Sequence, residues 1–213
     1  MHFLPQKLET YLEDHLPEEA VLLEELTRET HLKILQPRMI SGHYQGRLLS
    51  MLSCLIQPKY ILEIGTYTGY GSLCLAEGLV EDGELHTLEI NPELEGIQNK
   101  YFERSSYRLQ IHQHFGDAVE IIPRLDKIFD LVFIDGQKVA YDDYYEAALK
   151  KTRSGSVILC DNTLWSGKVA QPAAIDDKDT MALQKFNSKL SKDPRVVMLI
   201  LPVRDGLSLC RVL

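Results

Sequence analysis

Cysteine is scarce in this chain: Cys54, Cys74, Cys160 and Cys210 are the four among 213 residues. None forms a CxxC pair and each sits in an apolar context, which argues against a disulfide framework or a thiolate zinc site and for buried, reduced thiols. Long apolar runs are missing too. Nothing approaches the roughly 18 to 20 residues needed to cross a bilayer. The start, Met1-His-Phe-Leu-Pro-Gln-Lys, lacks the basic-then-apolar order of a signal peptide, so the expected setting is cytoplasmic, without membrane attachment. GxGxxG, P-loop, nucleophile-elbow and HExxH patterns are all absent, which removes the usual signatures of dehydrogenases, P-loop NTPases, α/β-hydrolases and zincins. A basic surplus is absent as well, since the net charge is −8. Residues 1–31 hold eight acids and two bases, a balance of −6, leaving −2 for the rest of the chain. The acidity therefore belongs to the N-terminal segment and argues only weakly against an anionic partner elsewhere.

What is present is an alternation. Residues 17–30 read as an amphipathic helix, with Pro17 in its first turn and Val21, Leu22, Leu23 and Leu26 as its apolar stripe. A second helix runs from Arg47 to Ile56. Strands are expected at 60–64, 84–90, 109–115, 130–134 and 156–160. Helices are expected at 70–80, at 91–105 behind an Asn91 cap and Pro92, and at 117–125, 141–151 and 180–190. Two closely spaced strands, 196–201 and 207–212, end the chain. Strand–helix alternation means parallel pairing with right-handed crossovers, while the last two strands are too close for a crossover and pair antiparallel. The expected fold is α/β: a Rossmann-like, seven-stranded, mostly parallel sheet with helices on both faces. Residues 1–213 form one domain in this reading. Residues 1–57 are an N-terminal helical segment, and 58–213 are the alternating core.

Ligands of such sheets lie beyond the carboxyl ends of the strands, and several polar residues fall there. The first strand runs into Gly65-Thr66-Tyr67-Thr68-Gly69-Tyr70-Gly71, a glycine-rich turn preceded by Glu63. Glu89 ends the next strand, placed to accept hydrogen bonds from ribose hydroxyls. Since the spacing is not that of a diphosphate-binding turn, an adenosine cofactor without a diphosphate fits best. Asp117 and Ala118 border the expected adenine position, and Asp117 is also suited to cap the following helix.

Two apolar strands end in oxygen donors, Asp135 and the pair Asp161-Asn162. All-oxygen ligands suit Mg²⁺ first, with Mn²⁺ or Ca²⁺ as alternatives. Two buried carboxylates without a cation would repel one another. Lys138, three residues beyond Asp135, is placed to act as a base if the enclosed site disfavours its charge. Trp165, the single tryptophan, either walls an aromatic substrate or packs beneath its loop. His112 and His114 should share one strand face, and His43 is a distant candidate for the pocket.

These residues carry a resemblance. Glu63-Ile-Gly-Thr-Tyr-Thr-Gly-Tyr70, Phe133-Ile-Asp135 with Lys138, Asp161-Asn-Thr-Leu-Trp-Ser-Gly167 and Leu201-Pro-Val-Arg-Asp-Gly-Leu-Ser-Leu-Cys-Arg211 resemble the cation-dependent, S-adenosylmethionine-dependent O-methyltransferases. That group includes caffeoyl-CoA and catechol O-methyltransferases and small bacterial relatives, and the likeness spans about 39–213. It implies that Asp135, Asp161 and Asn162 bind the divalent cation and that Lys138 is the general base beside Asp135. It implies that Ser41, Glu63, Gly65, Thr66, Ser72, Glu89, Asp117, Ala118 and Asp135 line the donor site. Met39, Trp165 and Ser166 would face a phenolic acceptor, and a second copy of the chain would make a homodimer. The chain departs from the group's usual pattern at Gly71, where serine is usual and Ser72 follows. It also departs from plant members at Gln45, Gln137 and Ser166. The expected reaction is methylation of a vicinal dihydroxy small molecule. Methylation of a hydroxylated tRNA base, along a track of Arg38, Arg47, Lys150, Lys151 and Arg153, is a second reading. A non-catalytic S-adenosylmethionine-binding protein is a third.

Overall fold

A computed structural model describes residues 5–213; of residues 1–7, on which the absence of a signal peptide is read, the first four lie outside them. Three helices come first: α1 (Gln6–Asp14), α2 (Val21–Lys33) and α3 (Gly42–Ile56). The core then alternates β1 (Tyr60–Ile64), α4 (Tyr70–Ala76), β2 (Glu84–Glu89), α5 (Glu95–Phe102), β3 (Ile111–Phe115), α6 (Ala118–Ile121), β4 (Phe129–Ile134), α7 (Tyr141–Leu149) and β5 (Thr152–Asp161). Helix α8 (Lys178–Leu190) precedes β6 (Val196–Leu201) and β7 (Leu207–Val212).

The strands form one sheet in the order β3-β2-β1-β4-β5-β7-β6. Strands β1 to β5 pair in parallel, and β7 inserts antiparallel between β5 and β6. The terminal hairpin thus puts its second strand inside and leaves β6 at the edge. Alternation along the central strands fills both faces. Leu62, Ile64, Val132, Ile134 and Ile158 pack under α6 to α8, while Ile61, Leu131, Phe133 and Leu159 pack under α2 to α5. Burial on both faces is why these strands read as continuous apolar runs.

Boundaries differ from the sequence expectation where local chemistry decides them. Pro17 lies ahead of α2, whose stripe is the buried Leu23 and Leu26 with the partly buried Leu22 packed beside them, while Val21 is exposed. Asn91 does cap, accepting from Glu93 N–H at 3.0 Å, but it opens a 3-10 turn before α5. Leu109 is exposed and precedes β3. Three of the cysteines are buried; Cys54 is exposed, because it lies on the outer face of α3. Among the described residues no helix is long and apolar enough to cross a membrane.

His112 and His114 share a face, as expected, and both stack on His86 across the β2–β3 ladder, at centroid distances of 5.0 and 5.2 Å. Burial holds the His86 imidazole down at about 4 from its usual 6.5. Between these values the unfolded chain binds the proton and the folded one does not. Stability contributed here is present above pH 6.5 and is lost as pH falls toward 4. Glu63 has the opposite sign, since burial raises it to about 8 and folding gains as pH falls from 8 toward 4.5. His86→Gln should therefore flatten the loss of melting temperature between pH 6.5 and 4 relative to wild type. Parallel melting curves against pH would disprove the assignment.

Candidate active site

The crossovers leave β1 and β4 in opposite directions, so their carboxyl ends open a crevice at the switch point of the sheet. Its cavity is lined by Glu63, Gly65, Thr66, Gly71 and Asp135 from the core and by Met39, Ile40 and Ser41 from the segment before α3. The structure thus gathers six of the predicted residues, Met39, Ser41, Glu63, Gly65, Thr66 and Asp135, around one space.

Four features shape the side of the crevice formed by the ends of β1 to β3. Gly65 has φ +98°, and a Cβ there would lie 2.2 Å from the Asp135 carbonyl oxygen, so the β1 turn can touch the end of β4 only through glycine. Glu63 is fully buried, and burial is the main cause of its raised carboxyl. Ser72 donates to its Oε2, as does Thr87 Oγ1 at 2.6 Å. Ser72 therefore stands behind Glu63 rather than on the cavity wall, which is the physical consequence of its displacement by Gly71. Thr66 Oγ1 lies 2.5 Å from Thr87 Oγ1 and joins the same network. Glu89 is fixed by two backbone donors, Tyr67 N–H at 2.7 Å and Asn91 N–H at 2.9 Å. Asp117 caps α6 by accepting from Val119 N–H at 2.8 Å, with Ala118 buried beside it.

The acid cluster closes the other side. Asp161 is buried, and its carboxyl is raised first by burial and then by the charge of Asp135. Asn162 follows at φ +57°, a left-handed position that asparagine tolerates. Lys138 Nζ donates to Asp135 Oδ1 at 2.9 Å and to Tyr141 Oη at 2.6 Å. Tyr141 in turn donates to the Asp161 carbonyl at 2.9 Å. Lys138 also lies 5.9 Å from the Trp165 ring centre. One ammonium thus pairs with the Asp135 carboxylate and is linked through Tyr141 to the Asp161 carbonyl. Among the described residues no three His, Cys, Asp or Glu side chains converge on a metal position, so an ion here would rest on two carboxylates and the Asn162 amide.

Residues 13–213 match the O-methyltransferase family. The chain belongs to that family. A caffeoyl-CoA O-methyltransferase of Petroselinum crispum is 34% identical over 206 residues, covering 92% of this chain and 85% of the relative. A catechol O-methyltransferase of Niastella koreensis is 33% identical over 181 residues, covering 79% and 80%. The solved O-methyltransferase TomG of Streptomyces achromogenes, in complex with S-adenosylmethionine, is 30% identical with a TM-score of 0.89, covering 97% of this chain and 96% of that one.

Within this O-methyltransferase three further aromatics, Tyr67, Tyr70 and Phe133, line the cavity; they lie inside the motifs that carry the family likeness, but sequence reading assigns them no role of their own. Tyr70 is tied to α2's approach by donating to Glu19 Oε1 at 2.5 Å. Trp165 and Ser166 both have positive φ, held because the β6–β7 loop grips them. Leu164 and Trp165 N–H groups donate to the Asp205 carbonyl at 2.9 and 3.2 Å, and Ser166 N–H donates to the Asp205 carboxylate. His43 is not on the cavity wall. Its Nε2 lies 2.7 Å from the Pro17 carbonyl, fastening α3 to the chain before α2.

Proposed function

We propose that this O-methyltransferase transfers a methyl group from S-adenosylmethionine to one hydroxyl of a catechol-like small molecule with the help of a divalent cation. The observation that carries this reading is the buried Asp161 beside Asp135 and Lys138 at the edge of a cavity floored by Glu63 and Gly65. The donor set fits a hard cation, since two carboxylates and an amide oxygen balance its charge and leave positions for two acceptor oxygens. Mg²⁺ fits first, with Mn²⁺ and Ca²⁺ as alternatives. Asp135, Asp161 and Asn162 would hold the ion, which when bound acts as a Lewis acid that lowers the pKa of an acceptor hydroxyl.

The chain's own residues do the rest. Glu63, Glu89, Gly65, Thr66 and Ser41 orient the donor, Glu89 through a carboxylate already set by two backbone donors. Asp117 and Ala118 border its base. Lys138, steadied by Asp135 and Tyr141, accepts or steers the hydroxyl proton. A new O–C bond forms as the donor's S–C bond breaks. Met39, Trp165 and Ser166 face the acceptor ring, so the segment ahead of the core, through Met39, serves as a wall of the acceptor pocket on the core 58–213. The partner is a second copy of this chain, for which the exposed Met51 and Leu55 on α3 supply apolar surface. The relatives named for caffeoyl-CoA and catechol support a phenolic acceptor.

The RNA reading is not favoured. Arg47 is paired with Glu77, Arg153 with Asp130, and Lys151 donates to the Leu125 carbonyl. Lys151 directly precedes β5 and Arg153 lies at its start, whereas Asp161 is at its other end. Methyl transfer from S-adenosylmethionine to a panel of catechols and to bulk tRNA, with Mg²⁺ and with EDTA, tests the proposal. Turnover on a catechol that stops in EDTA is expected. Turnover on tRNA alone, or undiminished turnover in EDTA, would overturn it.

A further inference from the structure

Asp161 is held from outside its own strand. Gln45, buried on α3, donates from Nε2 to Asp161 Oδ2 at 2.6 Å. Arg204, exposed on the β6–β7 loop, donates from Nη1 to Gln45 Oε1 at 2.9 Å and reaches the Ile40 carbonyl at 3.5 Å. The chemistry fixes the amide's orientation, because a guanidinium only donates and an ionised carboxylate only accepts. A flipped Gln45 would set its amide NH₂ against Arg204 and its oxygen against Asp161. The second carboxylate oxygen, Oδ1, accepts from Asn162 N–H at 2.8 Å. Each oxygen of Asp161 is therefore pinned by a different element.

The anchor at the far end is itself constrained. Arg204 has φ +48°, a left-handed conformation that an arginine adopts at a cost. Its loop is kept in place by Thr163 N–H donating to the Gly206 carbonyl at 3.1 Å and Leu164 N–H donating to the Asp205 carbonyl at 2.9 Å. A chain of contacts thus runs from the terminal hairpin, through α3, to the carboxylate. The Gln45 link is neutral. A lysine at this place would bring a rival positive charge, whereas an amide orients Asp161 and leaves its charge for a cation.

We propose that Gln45 and Arg204 are positioning residues for cation binding, with Arg204 acting through Gln45 to hold the Asp161 carboxylate in its ligating orientation. This rests on the cation-binding role proposed above for Asp161. Loss of a partner that orients a ligand typically weakens metal binding about 10- to 100-fold.

The test is Mn²⁺ titration of the full, metal-free chain, followed by the electron paramagnetic resonance of free Mn²⁺. Calorimetry of S-adenosylmethionine binding runs alongside as a check on the pocket. Q45M should weaken Mn²⁺ by about 10- to 100-fold with donor binding retained. R204A should weaken it in the same direction, and Q45M/R204A should match Q45M alone, because the two act in series. Wild-type binding that D161N abolishes but Q45M leaves unchanged would overturn the positioning role while sparing the metal reading. An additive double variant would overturn the serial link. Arg204 is exposed, so an unchanged affinity in R204A overturns that link even where Q45M fails to fold. Equal binding by wild type and D161N would bring down the metal reading and this proposal together.

Discussion

Asp161→Asn should abolish cation-dependent turnover and at the same time stabilise the cation-free protein. The first effect follows from removing one of two charged ligands. Lewis-acid stabilisation is worth several kcal/mol, and at 1.36 kcal/mol per tenfold its loss lowers the rate on the order of a thousandfold. The second follows from burial. The Asp161 carboxyl is raised because its charge is enclosed and faces Asp135. A group raised on folding binds its proton more tightly in the folded chain, so stability falls as pH rises above the ordinary aspartate range. Asparagine carries no charge to bury, and its NH₂ meets one of the two donors now on Asp161, Gln45 Nε2 or Asn162 N–H, as the hydroxyl of the protonated acid also does. Melting in EDTA should therefore show Asp161→Asn above wild type at pH 8 and level with it near pH 4. A variant less stable than wild type at pH 8 without cation would mean that Lys138 already compensates both acids. A variant retaining full activity would remove Asp161 from the site.

The fold was largely legible because its strands are short, apolar and regularly separated by helices, a pattern with few topological solutions. The fine points were not. Insertion of β7 between β5 and β6 depends on which edge the returning chain takes, and local periodicity carries no record of that choice. Helix α1 has no buried residue, so its acidic sequence lacks the full apolar stripe by which helices are read.

The site was legible where function and local geometry coincide. Gly65, Glu89, Asp135 and Asp161 end strands, and strand ends can be counted along a sequence. Residues that act across the fold could not be found that way. Gln45 meets Asp161 across 116 positions, and Arg204 meets Gln45 across 159. Only the packing of α3 against the sheet and the return of the last hairpin bring them together. Ser72 is the converse case. Its position in the motif suggested the cavity wall, and the helical turn instead directs it behind Glu63.

Gly65→Ala should be among the most damaging single-methyl additions in this protein. Two separate penalties meet there. The backbone lies at φ +98°, where an L-residue is disfavoured by about 1–2 kcal/mol. The new Cβ would sit 2.2 Å from the Asp135 carbonyl oxygen, a backbone atom that cannot swing away. Overpacking of this sort typically adds about 1–3 kcal/mol. Together they amount to about 2–5 kcal/mol, or roughly 4–20 °C in melting temperature for a chain of this size. Two other glycines separate the contributions. Gly155 has φ +92° with nothing within 4 Å of its Cβ position, so Gly155→Ala reports the backbone penalty alone. Gly96 lies in α5 with open space around it, so Gly96→Ala should be neutral or stabilising by up to about 1 kcal/mol. The order of melting temperatures should be Gly96→Ala highest, then Gly155→Ala, then Gly65→Ala. Donor binding should fall only in the last, because relief of the clash pushes the β1 turn away from Asp135 and opens the floor of the cavity. If Gly65→Ala melts no lower than Gly155→Ala, the contact between the turn and β4 does not constrain the site, and the glycine serves the turn alone.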